Sequence, residues 1–136
     1  MAGPYVTNGK GVNVITDRLQ LTQATYTLSP RYLAFGESSG QARTTNNLAG
    51  TIGGRTSAVG TANGQSQESL VTTTATSDTY QVVGTLTASG TWAITEAGMF
   101  TNPASGTGDM FAYSDFAVIN LASGDSIQFT WKVQMT

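Results

Sequence analysis

The end of the chain alternates Ile127, Phe129, Trp131, Val133 and Met135 with Ser126, Gln128, Thr130, Lys132 and Gln134. Side chains two residues apart share one face of a β-strand, so this decapeptide has one apolar and one polar face. Burying Ile127, Phe129 or Val133 stabilises a fold by about 1.5–3 kcal/mol each. A chain that closes on such a strand must supply a second apolar sheet face to cover it.

Other segments carry the same period. In Thr79–Ala88 (TYQVVGTLTA) the residues Tyr80, Val82 and Leu86 fall on one side, and Gly84 leaves a gap that admits a neighbouring aromatic ring. Glu68–Thr76 (ESLVTTTAT) precedes it across a turn at Ser77-Asp78, and Ser89-Gly90 reads as a tight hairpin into Thr91–Phe100. Tyr32–Gly36 (YLAFG), Met110–Val118, Gly11–Thr16 with Val12, Val14 and Ile15, and Leu19–Thr27 add further short strands. No window repeats apolar residues at three and four over three turns, so no helix is expected. About eight short strands with Gly, Ser, Asn and Asp turns give an all-β fold. The expected architecture is a single domain over residues 1–136, an antiparallel β-sandwich with the jelly roll as the natural candidate.

Thr91–Phe100 (TWAITEAGMF) is the segment the others are built to pair with. Trp92, Ile94 and Phe100 form its heavy face; Ala93, Ala97 and Met99 form the light one. Glu96 and Gly98 stand where apolar side chains belong. Either the strand bulges and exchanges its faces, or a partner holds a carboxylate inward.

Two stretches depart from this pattern. Residues 1–11 are Gly-rich and polar, as in an N-terminal arm. Residues 37–64 (ESSGQARTTNNLAGTIGGRTSAVGTANG) contain only Leu48, Ile52 and Val59 as large apolar residues. A stretch this long without pattern is a surface loop, or an arm that orders by lying across a partner.

The residue inventory narrows the chemistry. Histidine and cysteine are absent, so disulfides, thiolate chemistry and imidazole bases are ruled out. Serine and threonine are abundant but have no histidine to activate them. Glu96 with Asp109 or Asp115 would be a glycosidase-like pair; the alternative is a bulge glutamate held by backbone N–H groups or by an arginine such as Arg31. Nothing in the sequence fixes a second carboxylate opposite Glu96, which favours the structural role. Gly50–Gly60 lacks the lysine of a phosphate loop. The loop Asn102–Asp109 has no EF-hand spacing for Ca²⁺. Trp92, Trp131 and Tyr113 would stack a sugar if exposed, but their alternation makes them core residues first. No cofactor and no metal are expected.

Only 10% of residues are charged, against about 25% in soluble domains. Twenty-three threonines and twelve serines make the surface one of hydroxyl and backbone, which suits a protein packed against neighbours. The net charge of −2 is divided unevenly. Lys10, Arg18, Arg31, Arg43 and Arg55 outnumber Asp17 and Glu37 in residues 1–56, whereas acidic residues dominate the remainder. The basic residues are dispersed, so no nucleic-acid partner is expected, but one end is able to meet an acidic surface. MAGPYVTNGK lacks an apolar signal region and no run reaches membrane-span length, so no membrane partner is expected either.

The run DTYQVVGTLTASGTWAITEAGMF (78–100), with GDMFAYSDF and SGDSIQFTWKVQMT, resembles small structural proteins of tailed bacteriophages. In that pattern a strand ending in ITEAG and an apolar pair is followed by a Gly-rich turn, an aromatic strand and a closing strand with a TW dipeptide. YLAFGESSG (32–40) is a weaker second match. The pattern occurs in head decoration (cement) proteins and in tail-fibre or tail-tip modules. The resemblance to decoration proteins implies a β-sandwich or jelly roll without catalysis, made in the host cytoplasm. It implies a homodimer or homotrimer on the outer surface of the capsid, clamping neighbouring major capsid proteins. Under that reading the two arms make the capsid contacts, and Lys10, Arg18, Arg43, Leu48, Ile52 and Arg55 are the expected contact residues. Tyr80, Val82, Leu86, Trp92, Ile94, Phe100, Ile127, Phe129, Trp131 and Val133 are the expected core. A tail module binding a receptor or glycan is the alternative.

Overall fold

The structure, a computed structural model, describes residues 4–8, 10–19, 30–46, 48, 67–102 and 109–136. Seven strands and one helix lie among them: β1 (Tyr5–Val6), α1 (Gly11–Leu19), β2 (Tyr32–Gly36), β3 (Gln67–Val71), β4 (Thr79–Thr87), β5 (Trp92–Phe100), β6 (Met110–Leu121) and β7 (Ser126–Gln134). One sheet has the order β1-β6-β5-β2 and the other β3-β4-β7, with every pair antiparallel. The fold is an all-β sandwich. The eight-stranded jelly roll is not reproduced among the described strands, which stand four against three.

Strands β4 and β7 pair over nine residues without interruption, from Thr79↔Gln134 to Thr87↔Ser126. Their inward side chains are Val82, Leu86 and Trp131, flanked by the half-buried Tyr80, Ile127, Phe129 and Val133. Facing them are Leu33 and Phe35 of β2, Ile94, Ala97 and Met99 of β5, and Ala112 and Leu121 of β6. The Phe35 and Phe129 rings lie 4.6 Å apart across the two layers. Of the residues expected in the core, Val82, Leu86, Ile94 and Trp131 are buried between the layers, Trp92 is half-buried at the margin and Phe100 lies on a different face.

The connection at Ser89-Gly90 is not the hairpin expected from its composition. β4 and β5 belong to different sheets, so the chain crosses over the core there. A hairpin would set the apolar faces of the two strands side by side; the crossing sets Leu86 and Ile94 in opposing layers. The Ala88 N–H donates to Asp125 O and the Gly124 N–H to Ala88 O, each at 2.8 Å. That ties this corner to the parallel crossing between β6 and β7. Gly124 has φ +93°, which a glycine adopts without strain.

Gly11–Thr16 is likewise not a strand but the start of α1. Val12, Val14 and Ile15 are β-branched and favour strands, but local capping and packing override that propensity. The Gly11 N–H donates to Thr7 Oγ1 at 2.7 Å, and the Val12 N–H to Thr7 O at 3.0 Å. Gly11, Val14 and Ile15, spaced i, i+3, i+4, turn inward, with Val14 only 2% exposed. An added Cβ at Gly11 would lie 2.2 Å from the Phe111 carbonyl, so the helix start sits directly against β6. Of the expected strand Leu19–Thr27, only Leu19 lies among the described residues, as the end of α1.

Strand β3 ends at Val71, earlier than expected, because Asp78 organises the next turn. Its carboxylate accepts N–H groups from Thr73, Thr74 and Ala75 at 2.8–3.0 Å and the Gln134 amide at 2.9 Å. Those backbone donors, Ala75 and Thr73 foremost, hold the Asp78 carboxyl far below the usual carboxylate range. The turn's stability is therefore present above the ordinary aspartate range near pH ~4 and is lost as the pH falls below it. In the Asp78→Ala variant, the midpoint of thermal unfolding at pH 7 should fall by a few degrees. The difference from the parent protein should shrink in an acid titration followed by circular dichroism.

Candidate functional site

Strand β5 carries the residue that the sequence singles out, and a bulge decides where it points. The β5–β6 register runs Ile94↔Ile119 and then Glu96↔Asp115, so one β5 residue, Thr95, stands against three of β6 and the two surplus residues belong to β6. Before the bulge Ile94 faces the sandwich; after it Ala97 and Met99 do, while Glu96, Gly98 and Phe100 turn to the opposite face. A second irregularity, between Met99↔Ala112 and Phe100↔Met110, shifts the β6 side of the ladder around Phe111. Of the two alternatives left open by the sequence, the exchange of faces is the one realised, and Glu96 finds its partner, Tyr113, on the far face.

The outer face of this sheet is thus a second core. Tyr32, Ala34, Leu48, Phe100, Met110 and Tyr113 are buried in it, with Tyr5 packed alongside. Gly98 explains how Leu48 fits. A Cβ at Gly98 would lie 3.2 Å from Leu48 Cδ2 and 2.9 Å from Phe100 Cε2. The glycine leaves the seat that Leu48 fills.

Beside that seat lies a buried polar cluster. Glu96 is 0% exposed, Tyr113 0% and Asp115 4%. The Tyr113 hydroxyl donates to Glu96 Oε2 at 3.2 Å, and the Gly40 N–H donates to Asp115 Oδ2 at 2.9 Å. The Gln41 N–H approaches the Tyr113 oxygen at 3.4 Å, and the Tyr5 hydroxyl donates to Gln41 O. Burial, followed by the field of Glu96 and Asp115, pushes the Tyr113 phenol up to about 12. Glu96 and Asp115 are cross-strand neighbours, and both carboxyl groups are buried.

The start of the polar arm is what covers the cluster. Glu37 Oε1 accepts the Ala93 N–H at 3.0 Å, and Ser38 O accepts the hydroxyl of the bulge residue Thr95 at 2.7 Å. Asn46 then clasps the beginning of β6, its amide donating to Asp109 Oδ1 at 2.9 Å and its carbonyl accepting the Met110 N–H at 2.8 Å. Gly40, Gln41, Asn46 and Leu48 thus form a strap over their own sheet.

The expected contact residues divide into three groups. Lys10 and Arg43 come together where the N-terminal arm meets the strap, joined by the Asn8 N–H donating to Arg43 O at 2.8 Å. Lys10 Nζ lies 3.6 Å from Asp109 Oδ1, a partly exposed ion pair of small energetic weight. The Arg43 guanidinium donates to Val6 O and stands 5.6 Å over the Tyr5 ring. Leu48 corrects the expectation: it is 6% exposed and serves as a core residue, because Gly98 opens a pocket for it. Arg18 belongs to α1, and Ile52, Arg55 and the remainder of the arm lie outside the described residues, as does most of the loop considered for Ca²⁺.

Among the described residues no group of three acidic side chains is arranged to hold a metal ion. Among the described residues no helix is long and apolar enough to cross a membrane. Comparison with protein-family models, with curated proteins and with solved structures returns no match.

Two measurements check this description. Gly98→Val should displace Leu48 and overpack the second core, costing about 1–3 kcal/mol in chemical unfolding. Tyr113→Phe removes a buried donor and should cost about 1–3 kcal/mol. Because the folded phenol is raised above the ordinary tyrosine value of about 10, its contribution is intact below that pH and declines as the pH rises through about 12. Ultraviolet titration of the parent protein should show one tyrosine ionising late, and Tyr113→Phe should abolish that step.

Proposed function

We propose that the chain is a non-enzymatic virion protein that binds the outside of a tailed-phage head and stabilises contacts between major capsid proteins. The observation that carries this reading is the fate of Glu96 and Asp115, one of the two carboxylate pairs considered from the sequence. Glu96 and Asp115 lie beneath the strap, engaged by Tyr113 and the Gly40 backbone, where a substrate has no access. That use of ionisable groups fits a load-carrying frame rather than a reaction site.

The exposed features support attachment rather than chemistry. The outward side chains of β7 are Ser126, Gln128, Thr130 and Lys132, so covering that face desolvates few charges. Lys10 and Arg43 give the corner between β1 and α1 a basic character suited to an acidic capsid surface. The tail-module reading is less favoured. Trp131 and Tyr113, two of the three rings that would stack a glycan, are buried within the fold.

The test compares virions with and without the protein. Particles lacking it should release their genome at lower temperature, and particles carrying Arg43→Glu should retain fewer copies after washing. Equal heat stability of the two particle types would overturn the cement reading, as would a copy number of a dozen or fewer per virion.

A further inference from the structure

β7 is an edge strand, and it lacks most of the devices that usually protect an edge. It pairs with β4 along all nine residues, and among the described residues nothing pairs with its other side. It contains no proline, glycine or bulge, and Lys132 is its sole charge. Natural edges of this length are normally blunted, covered or paired.

A second observation lies along the same edge. Two open grooves, of about 250 and 340 Å³, flank Trp131 where the sheets part. The short β1 covers only Ala112 and Tyr113 of β6, so Phe116 and Phe129 line the mouth beyond it. Trp131 is 9% exposed, and its indole N–H is the one buried side-chain polar atom without a hydrogen-bond partner among the described residues. An unpaired ladder edge, an aromatic mouth and an orphaned donor thus coincide.

We infer that β7 pairs antiparallel with β7 of a second copy, joining the two three-stranded sheets into one six-stranded sheet across a two-fold axis at Thr130. Thr130 is the midpoint of Ser126–Gln134, so this axis uses the whole strand. It sets Thr130 opposite Thr130, a favourable cross-strand pair. It sets Lys132 opposite Gln128 of the other copy, so the only charges never meet. On the inner face it sets Trp131 opposite Phe129, bringing together the rings that line the grooves. A two-fold interface is self-complementary, and one strand supplies both halves. The inference deepens the self-association expected of a capsid-bound protein but does not depend on a capsid, and purified protein tests it alone.

The chain has no cysteine, which makes cross-linking specific. Under mild oxidation Thr130→Cys should form a covalent dimer. Gln128→Cys and Lys132→Cys should cross-link with each other when mixed, and neither with itself. In sedimentation equilibrium, Gln128→Lys should weaken association about 2- to 30-fold by opposing two pairs of like charges, and Gln128→Glu should strengthen it. Both positions are exposed, so the monomer fold should persist by circular dichroism. A protein that stays monomeric at every concentration overturns the inference. So does a dimer in which Thr130→Cys fails to cross-link, or a Gln128→Lys variant that loses capsid binding while self-association is unchanged.

Discussion

The register break opposite Thr95, where β6 carries two surplus residues, is the constraint on which the rest of the molecule depends. Without it β5 would keep Glu96 and Gly98 on the face that packs against β4 and β7. A carboxylate there would sit in an apolar layer, at a desolvation cost of several kcal/mol. With it, Ala97 and Met99 take those places and the polar pair moves to the far side. The cost is moved rather than removed, since the far face must now be covered too. The strap from Glu37 to Leu48 meets that demand. It caps Asp115 with the Gly40 N–H, bonds the bulge hydroxyl through Ser38, and inserts Leu48 over Gly98.

What the sequence revealed follows from the range over which each signal acts. Period-two patterns are local, so β4, β5 and β7 and the sandwich class were legible, as was a disturbance at Glu96. Gly11–Thr16 reads as a strand because the helix shows only one turn of apolar spacing within a β-branched run. Its formation depends on Thr7, whose hydroxyl caps Gly11 and also donates to Met110 O, more than a hundred residues away. Ser89-Gly90 was misread because the dipeptide is compatible with a hairpin or a crossing. What marks the crossing is distant in sequence: the Asp125 carbonyl, just before β7, accepts the Ala88 N–H.

Leu48 and Asp115 show a different limit. In sequence, Leu48 is a lone apolar residue in a polar stretch and reads as something offered to a partner. Its true complement is the missing side chain of Gly98, fifty residues on. Glu96 and Asp115 become neighbours only when the β5–β6 ladder is counted through its bulge; an unbulged count pairs Glu96 with a different residue. In both cases the decisive partner is an irregularity in regular structure, which no periodicity measure registers.

The division of labour within the sandwich follows from these placements. The four-stranded sheet is buried on both faces where β2, the second half of β5 and the first half of β6 meet, and there it is stitched to its own chain. The three-stranded sheet has one apolar face inside and one hydroxyl-rich face outside, and it ends on the straight, unbulged β7. Irregularity has been concentrated in the sheet that must close on itself, and regularity kept in the sheet with an open edge. A bulge in β7 would have twisted that edge away from pairing, as the break in the β5–β6 ladder turns Glu96 away from the core. The same device, present in one strand and absent from the other, separates the part of the molecule that holds itself together from the part able to hold a second copy.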